Sequence, residues 1–198
     1  MVTAVGCVAK TGWAVLVTLA VTSDEPEVVD RRRVELVVAP TERFAYHAAA
    51  GHGGLPPLSV ADAEVAIAAV VAEAGALAAD AATAVVAETG AHLAVVLATS
   101  GRPLGDLAST LANHTALHTA EGALYRGALK GGFAAAGVEV VDVPAKGVVA
   151  QLAARLGAEP AVVQEHLAAL GKPLGPPWRA DHRDAAAGAW LGLLGAAE

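Results

Sequence analysis

The stretch Asn113-His-Thr-Ala-Leu-His-Thr-Ala-Glu-Gly-Ala-Leu-Tyr-Arg126 lies between two short apolar runs, residues 92–98 and 138–143, and its reading decides the fold. Read as a helix, it sets His114, His118 and Glu121 at i, i+4 and i+7, within about 60° of one another on one face. Leu107 and Leu111 carry the same stripe backwards and Tyr125 carries it forwards, the rhythm of a helix with one packed face. The spacing predicts a helical region over 104–136, ended by Gly137. Residues 92–98, bounded by Gly90 and by Thr-Ser-Gly-Arg-Pro, are continuously apolar, as expected of a strand buried on both sides. Residues 138–143 repeat that signal. Strand, long helix and strand with short joints form a right-handed crossover, so the two strands are parallel neighbours.

Working towards the N-terminus, residues 2–9, 13–22 and 27–39 are rich in Val, Thr and Leu and are separated by Lys-Thr-Gly and Thr-Ser-Asp-Glu-Pro. Such short polar joints make hairpins, and the three runs read as an antiparallel meander. Arg31, Arg32 and Arg33 cannot all face one way on a strand, so they read as a solvated edge guarded by charge. A short helix and a loop are expected over 41–57, where His47 and His52 occur. Ser59 then caps a helix with Asp62 at its third position; Gly75 is a point of bending or division and Gly90 its stop. Towards the C-terminus, 146–156 and 160–170 read as two helices, the second opened by Pro160. A Pro- and Gly-rich segment leads through Trp178 to a last helix over 181–194.

The 198 residues suit one domain, 1–198. Aromatic residues are only 4% of the chain while hydrophobic residues are 55%, so the core must be built from closely approaching Ala-rich helices and β-branched strands. A net charge of −7 argues against broad attraction to nucleic acid or anionic membrane and leaves only a local basic patch for that purpose. Cys7 is alone, which excludes an intrachain disulfide and a cysteine zinc cluster and suits a reducing compartment. Residues 12–21 imitate the apolar part of a signal peptide but lack its cleavage pattern, and read as a strand. The Ala-rich run 60–88 holds Asp62, Glu64, Glu73, Asp80 and Glu88, too many carboxylates for a membrane span. A cytoplasmic protein with no membrane partner is expected.

Three stretches of the chain resemble the RuvC-type Holliday-junction resolvases of the ribonuclease H-like superfamily. Asp181-His182-Arg183-Asp184-Ala185 resembles their Asp-x-x-Asp-Ala helix start, and Thr11-Gly12-Trp13 resembles the Thr-Gly-aromatic opening of their second strand. Residues 117–146 also follow their order of helix, strand and Pro-x-x-basic sequence. The resemblance implies an α/β ribonuclease H-like fold, a five-stranded mixed sheet with three antiparallel and then two parallel strands and helices on both faces. It further implies phosphodiester hydrolysis by two Mg²⁺ or Mn²⁺ ions held by acidic residues of the first strand, the fourth strand and the last helix. Here the first strand reads Val5-Gly6-Cys7-Val8-Ala9-Lys10 and the buried strand Ala94-Val95-Val96-Leu97-Ala98, so only Asp181 and Asp184 match that set.

Two functional readings follow. The leading one is a catalytically degenerate RuvC-like protein that binds nucleic acid or a nucleotide or acts as an interaction module, with Lys10, Lys146 and Arg179 as binding residues; Lys10 at the mouth of the site opposes a cation there. The alternative is a metal-dependent hydrolase with a relocated site: Asp181, Asp184 and Glu121 are its catalytic residues, and His114, His118, Glu121 and Asp181 its metal ligands, since imidazoles at i and i+4 chelate one ion such as zinc from a single helix face. Against it stands plain packing of both histidines along a half-buried face. Homodimerisation through Ala- and Gly-rich faces is a third, structural outcome.

Overall fold

The computed structural model describes residues 2–21, 25–39, 43–99 and 103–195. The meander is formed by β1 (Val2–Lys10), β2 (Trp13–Val21) and β3 (Pro26–Glu35). A short helix α1 (Ala45–Ala49) and a long one, α2 (Val60–Thr89), precede β4 (Leu93–Ala98). Helices α3 (Leu107–Leu111) and α4 (His114–Ala135) lead to β5 (Glu139–Pro144). Helices α5 (Val148–Leu156), α6 (Pro160–Leu170) and α7 (Ala180–Gly195) complete the chain. The residues Thr22, Ser23 and Asp24 of the second hairpin, Thr41 and Glu42 before α1, and Ser100, Gly101 and Arg102 after β4 lie outside the described residues.

The strand order is β3-β2-β1-β4-β5, with β1 antiparallel to β2 and parallel to β4. The mixed sheet and the parallel β4–β5 pair are those expected from the sequence. The sheet separates two cores. On one face α2 and α4 cover Val5, Cys7, Leu16 and Val96 with Tyr125, Leu129 and Phe133. On the other, α5, α6 and α7 cover Val15, Val17, Leu93 and Val95 with Leu152, Leu167 and Trp190. α2 is long and apolar enough to cross a membrane by composition; here it buries Ala63, Ile67, Ala74, Ala78, Ala82 and Val85.

Small residues set how near the helices come. A methyl group on Gly6 of β1 would overlap the carbonyl of Ala185, so α7 rests on bare strand backbone, and five consecutive residues, Ala185 to Ala189, are buried. Gly132 of α4 meets the backbone of Ala78 in α2 in the same way, where an added Cβ would lie 2.6 Å from the Ala78 carbonyl carbon. Cys7 is completely buried, and that burial pushes its thiol well above the usual range. Native protein is therefore expected to resist a thiol reagent and to react only on unfolding; alkylation at native rates comparable to a free thiol would contradict this packing.

Local chemistry corrects several boundaries. The predicted helix over 104–136 is two helices, because Asp106 accepts from the Ser109 amide (2.7 Å) and Asn113 from the Ala116 amide (3.0 Å), two successive N-caps that restart the chain. The stripe through Leu107 and Leu111 is thus broken before His114. β3 ends at Glu35 rather than at residue 39, α5 starts after Gly147 rather than at Lys146, and α2 passes through Gly75 undivided. The three arginines of β3 do not share one role: Arg31 donates to the carbonyls of Gly175 (2.9 Å) and Pro177 (2.7 Å), Arg32 pairs with Asp30 and Glu88, and Arg33 lies over the Trp13 ring.

Candidate functional site

Two groups of chemically active side chains stand out, one on each layer of helices. The first surrounds the start of α7. Lys10, the last residue of β1, places its Nζ 2.7 Å from Asp181 Oδ1 in the first turn of that helix. Asp184, one turn on, is half-buried; desolvation and then the Asp181 charge raise its carboxyl, while Arg183 and Lys10 hold it down. His182 accepts from the Arg179 amide at Nδ1 (3.2 Å) and so caps a free amide at the helix start. Burial lowers its pKa, and Arg31, Arg179 and Arg183 lower it further. Lys10 and Arg183 thus act on the carboxylates, and Arg31, Arg179 and Arg183 on the imidazole between them. Lys146 is exposed in the turn between β5 and α5. Trp178 is a packing residue, its ring against Gly171 and its Nε1 donating to the Leu167 carbonyl (2.8 Å).

The Lys10–Asp181 pair is about a third exposed on both sides (38% and 31%), so water screens much of its attraction. Lys10→Met is expected to cost less than about 1 kcal/mol in urea unfolding. A much larger loss would mean that the pair is shielded from solvent.

The second group lies where α1 docks on α4. Glu121 is 2% exposed, and its Oε1 accepts from the amides of Tyr46 (2.9 Å) and His47 (3.3 Å), with His47 Nδ1 also at 3.3 Å. Phe44 at the N-cap of α1 has no side-chain oxygen to offer, so Glu121 caps that helix from another one. Tyr125 adds a bond to the Arg43 carbonyl (2.7 Å). Burial pushes the Glu121 carboxyl up to about 7 against the pull of the two amides and of His118. One turn earlier, exposed His118 and His114 bring their Nε2 atoms to 3.2 Å. The His47 ring lies 4.6 Å from that of His118 and 5.6 Å from that of His114, and the His52 ring is 5.5 Å from both His47 and His114. Burial, then His52 and His114, disfavour protonation of His47.

Of the residues singled out in the sequence, the structure brings together His114, His118 and Glu121, and separately Lys10, Asp181, Asp184 and Arg179. It does not join the two sets: α4 and α7 pack on opposite faces of the sheet. Glu121 turns its bonded oxygen to the amides of α1 and to His47 Nδ1. His47 and His52 complete the cluster and were not legible as partners, because they come from a different helix and loop, far from His114 in sequence.

No family model and no curated protein matches the chain. Solved structures do. Thermus thermophilus RuvC in complex with a Holliday junction substrate is similar at a TM-score of 0.59 and 15% identity, over 100% of this chain and 96% of that one. A second Thermus thermophilus RuvC structure is similar at a TM-score of 0.57 and 14% identity, over 98% of this chain and 95% of that one. The fold is that of RuvC. The order of elements and the strand topology of this ribonuclease H-like fold agree with the resemblance carried by Asp181–Ala185 and by Thr11-Gly12-Trp13.

A RuvC-like pair of Mg²⁺ or Mn²⁺ ions would need several carboxylates around the start of α7. β1 and β4 supply none; Cys7, Val95 and Val96 are fully buried in the cores. The ammonium of Lys10 already bonds Asp181. The residues present do not fit two divalent ions.

Proposed function

We propose that this chain is a RuvC-fold protein that binds nucleic acid without hydrolysing it by two metal ions. The observation that carries this reading is the 2.7 Å pair of Lys10 with Asp181, an internal cation where the mechanism needs an external one. Lys10, Arg31, Arg179 and Arg183 around the start of α7 form a positive rim on a protein whose net charge is −7, suited to a few phosphate contacts and not to a long track. One of the similar RuvC structures holds a Holliday junction substrate, which supports testing branched DNA first. Dimerisation along α2, where Val60, Val65 and Val71 are exposed, accompanies this reading and is checked by analytical ultracentrifugation.

The test is fluorescence anisotropy with a four-way junction, single-stranded DNA and an RNA–DNA hybrid, alongside cleavage assays in Mg²⁺ and Mn²⁺. Binding at low salt is expected, weakening steeply as salt rises with a log–log slope of about −2 to −4. Arg179→Ala/Arg183→Ala is expected to weaken binding at least tenfold. Cleavage that disappears in Asp181→Asn would overturn the non-hydrolytic reading. Failure to bind any of the three at low salt would overturn the nucleic-acid reading.

A further inference from the structure

We infer that His47, His114 and His118 bind one divalent transition-metal ion of the zinc class, with Glu121 as the carboxylate that orients His47. This goes beyond the nucleic-acid reading and does not depend on it. One ligand nitrogen from each imidazole lies within 4.8 Å of the other two. A tetrahedral zinc with bonds of about 2.0–2.1 Å spaces its ligand nitrogens roughly 3.4 Å apart, and the His114–His118 separation of 3.2 Å is already close to that. His114 and His118 are exposed and free to make the small rotation that closes the third side.

The Nε2 of His47 is buried and has no hydrogen-bond partner, while its Nδ1 faces Glu121 Oε1 at 3.3 Å. If Nδ1 carries the proton and donates to the carboxylate, Nε2 is left with a free lone pair for a metal ion. A carboxylate behind a histidine behind a metal is the usual way of fixing the tautomer and strengthening the ligand. An unpaired buried nitrogen costs free energy; His166 Nε2 is another, but its ring packs on Trp190, whereas His47 sits among three further imidazoles. The position of His52 beside both His47 and His114 makes it the natural neighbour of a fourth, open coordination position. Three imidazoles select zinc, cobalt, nickel or copper(II) over magnesium and calcium, so this ion is of a different class from those of RuvC chemistry.

The experiment uses the full chain without a histidine tag, stripped with a chelator and titrated with Zn²⁺ by calorimetry, and with Co²⁺ by visible absorption. One ion per chain and intense d–d bands of low-symmetry cobalt are expected. His114→Ala/His118→Ala, both at exposed positions, should lower affinity at least 100-fold with an unchanged circular dichroism spectrum; His118→Ala alone carries the same test with less change to the protein. Glu121→Gln should keep the stoichiometry and weaken binding about 10- to 100-fold. His166→Ala, at a histidine that packs against Trp190, should leave binding unchanged. Absence of stoichiometric binding to the wild-type chain, or equal binding by the His114/His118 variants, would overturn the site.

Discussion

Gly6→Ala is expected to cost at least about 3 kcal/mol and to leave much of the protein unfolded at 37 °C. The added methyl has no side chain to push aside. It would overlap the carbonyl oxygen of Ala185 and lie 2.7 Å from that carbonyl carbon and 2.9 Å from the amide nitrogen of Ala189. All three are helix backbone, so α7 must lift from β1 as a unit, loosening contacts with Val15, Val17 and Val95 across the same core. Overpacking of an ordinary core costs about 1–3 kcal/mol, and domains of this kind hold only about 5–15 kcal/mol in reserve. The control is Gly131→Ala in α4, where an added Cβ meets nothing within 4 Å. There the better helix former should gain about 0.5–1 kcal/mol. Urea midpoints moving in opposite directions would support the packing described; an unshifted Gly6→Ala midpoint would mean that α7 does not rest on β1 backbone.

Glu121 gives the second large effect. Glu121→Ala removes the acceptor that holds the Tyr46 and His47 amides and leaves a hole between α1 and α4, so a loss of about 2–4 kcal/mol is expected. Glu121→Gln keeps an oxygen for those amides and removes the charge. The wild-type carboxyl has an ordinary value of 4.5 and is raised to about 7 when folded. Its ionisation therefore costs nothing below about pH 4.5, and the cost grows as pH rises through about 7. Metal-free Glu121→Gln should escape this, becoming relatively more stable than wild type by about 2–3 kcal/mol between pH 5 and pH 8. His47, whose protonation is disfavoured in the folded state, bends both curves the other way on acidification. The difference between the two proteins isolates the carboxylate. Parallel stability curves across that range would show that Glu121 reaches water.

The sheet and its crossover are readable in the sequence because short apolar runs such as Leu93 to Ala98, closed off by Gly90 before and a polar stretch after, are too brief for a buried helix and suit a strand covered on both faces. The Asp-x-x-Asp-Ala start of α7 is readable for a different reason: it is short, ordered and placed where the chain needs a helix. The break before His114 is harder to see. Asn113 sits in a pattern that satisfies a continuous helix equally well, and only the capping bond to Ala116 decides it. His47 could not be joined to His118 by any spacing rule, since their approach depends on Glu121 reaching the amides of α1. The sequence carries two signals of these features: residue types fit for capping at Asp106 and Asn113, and a lone Glu in an Ala-rich helix face.

His47 and His114 belong to helices on either side of α2 and β4 in the chain, so an ion held between them closes a long covalent loop around both elements. With one buried cysteine the protein has no disulfide to do this. Such a link differs from a disulfide in when it lets go: it parts on unfolding, and therefore stabilises through mass action rather than by confining the unfolded chain. At a free ion concentration a hundred times Kd it adds about 2.7 kcal/mol, and in excess chelator it adds nothing. The melting temperature of this molecule then becomes a readout of metal supply.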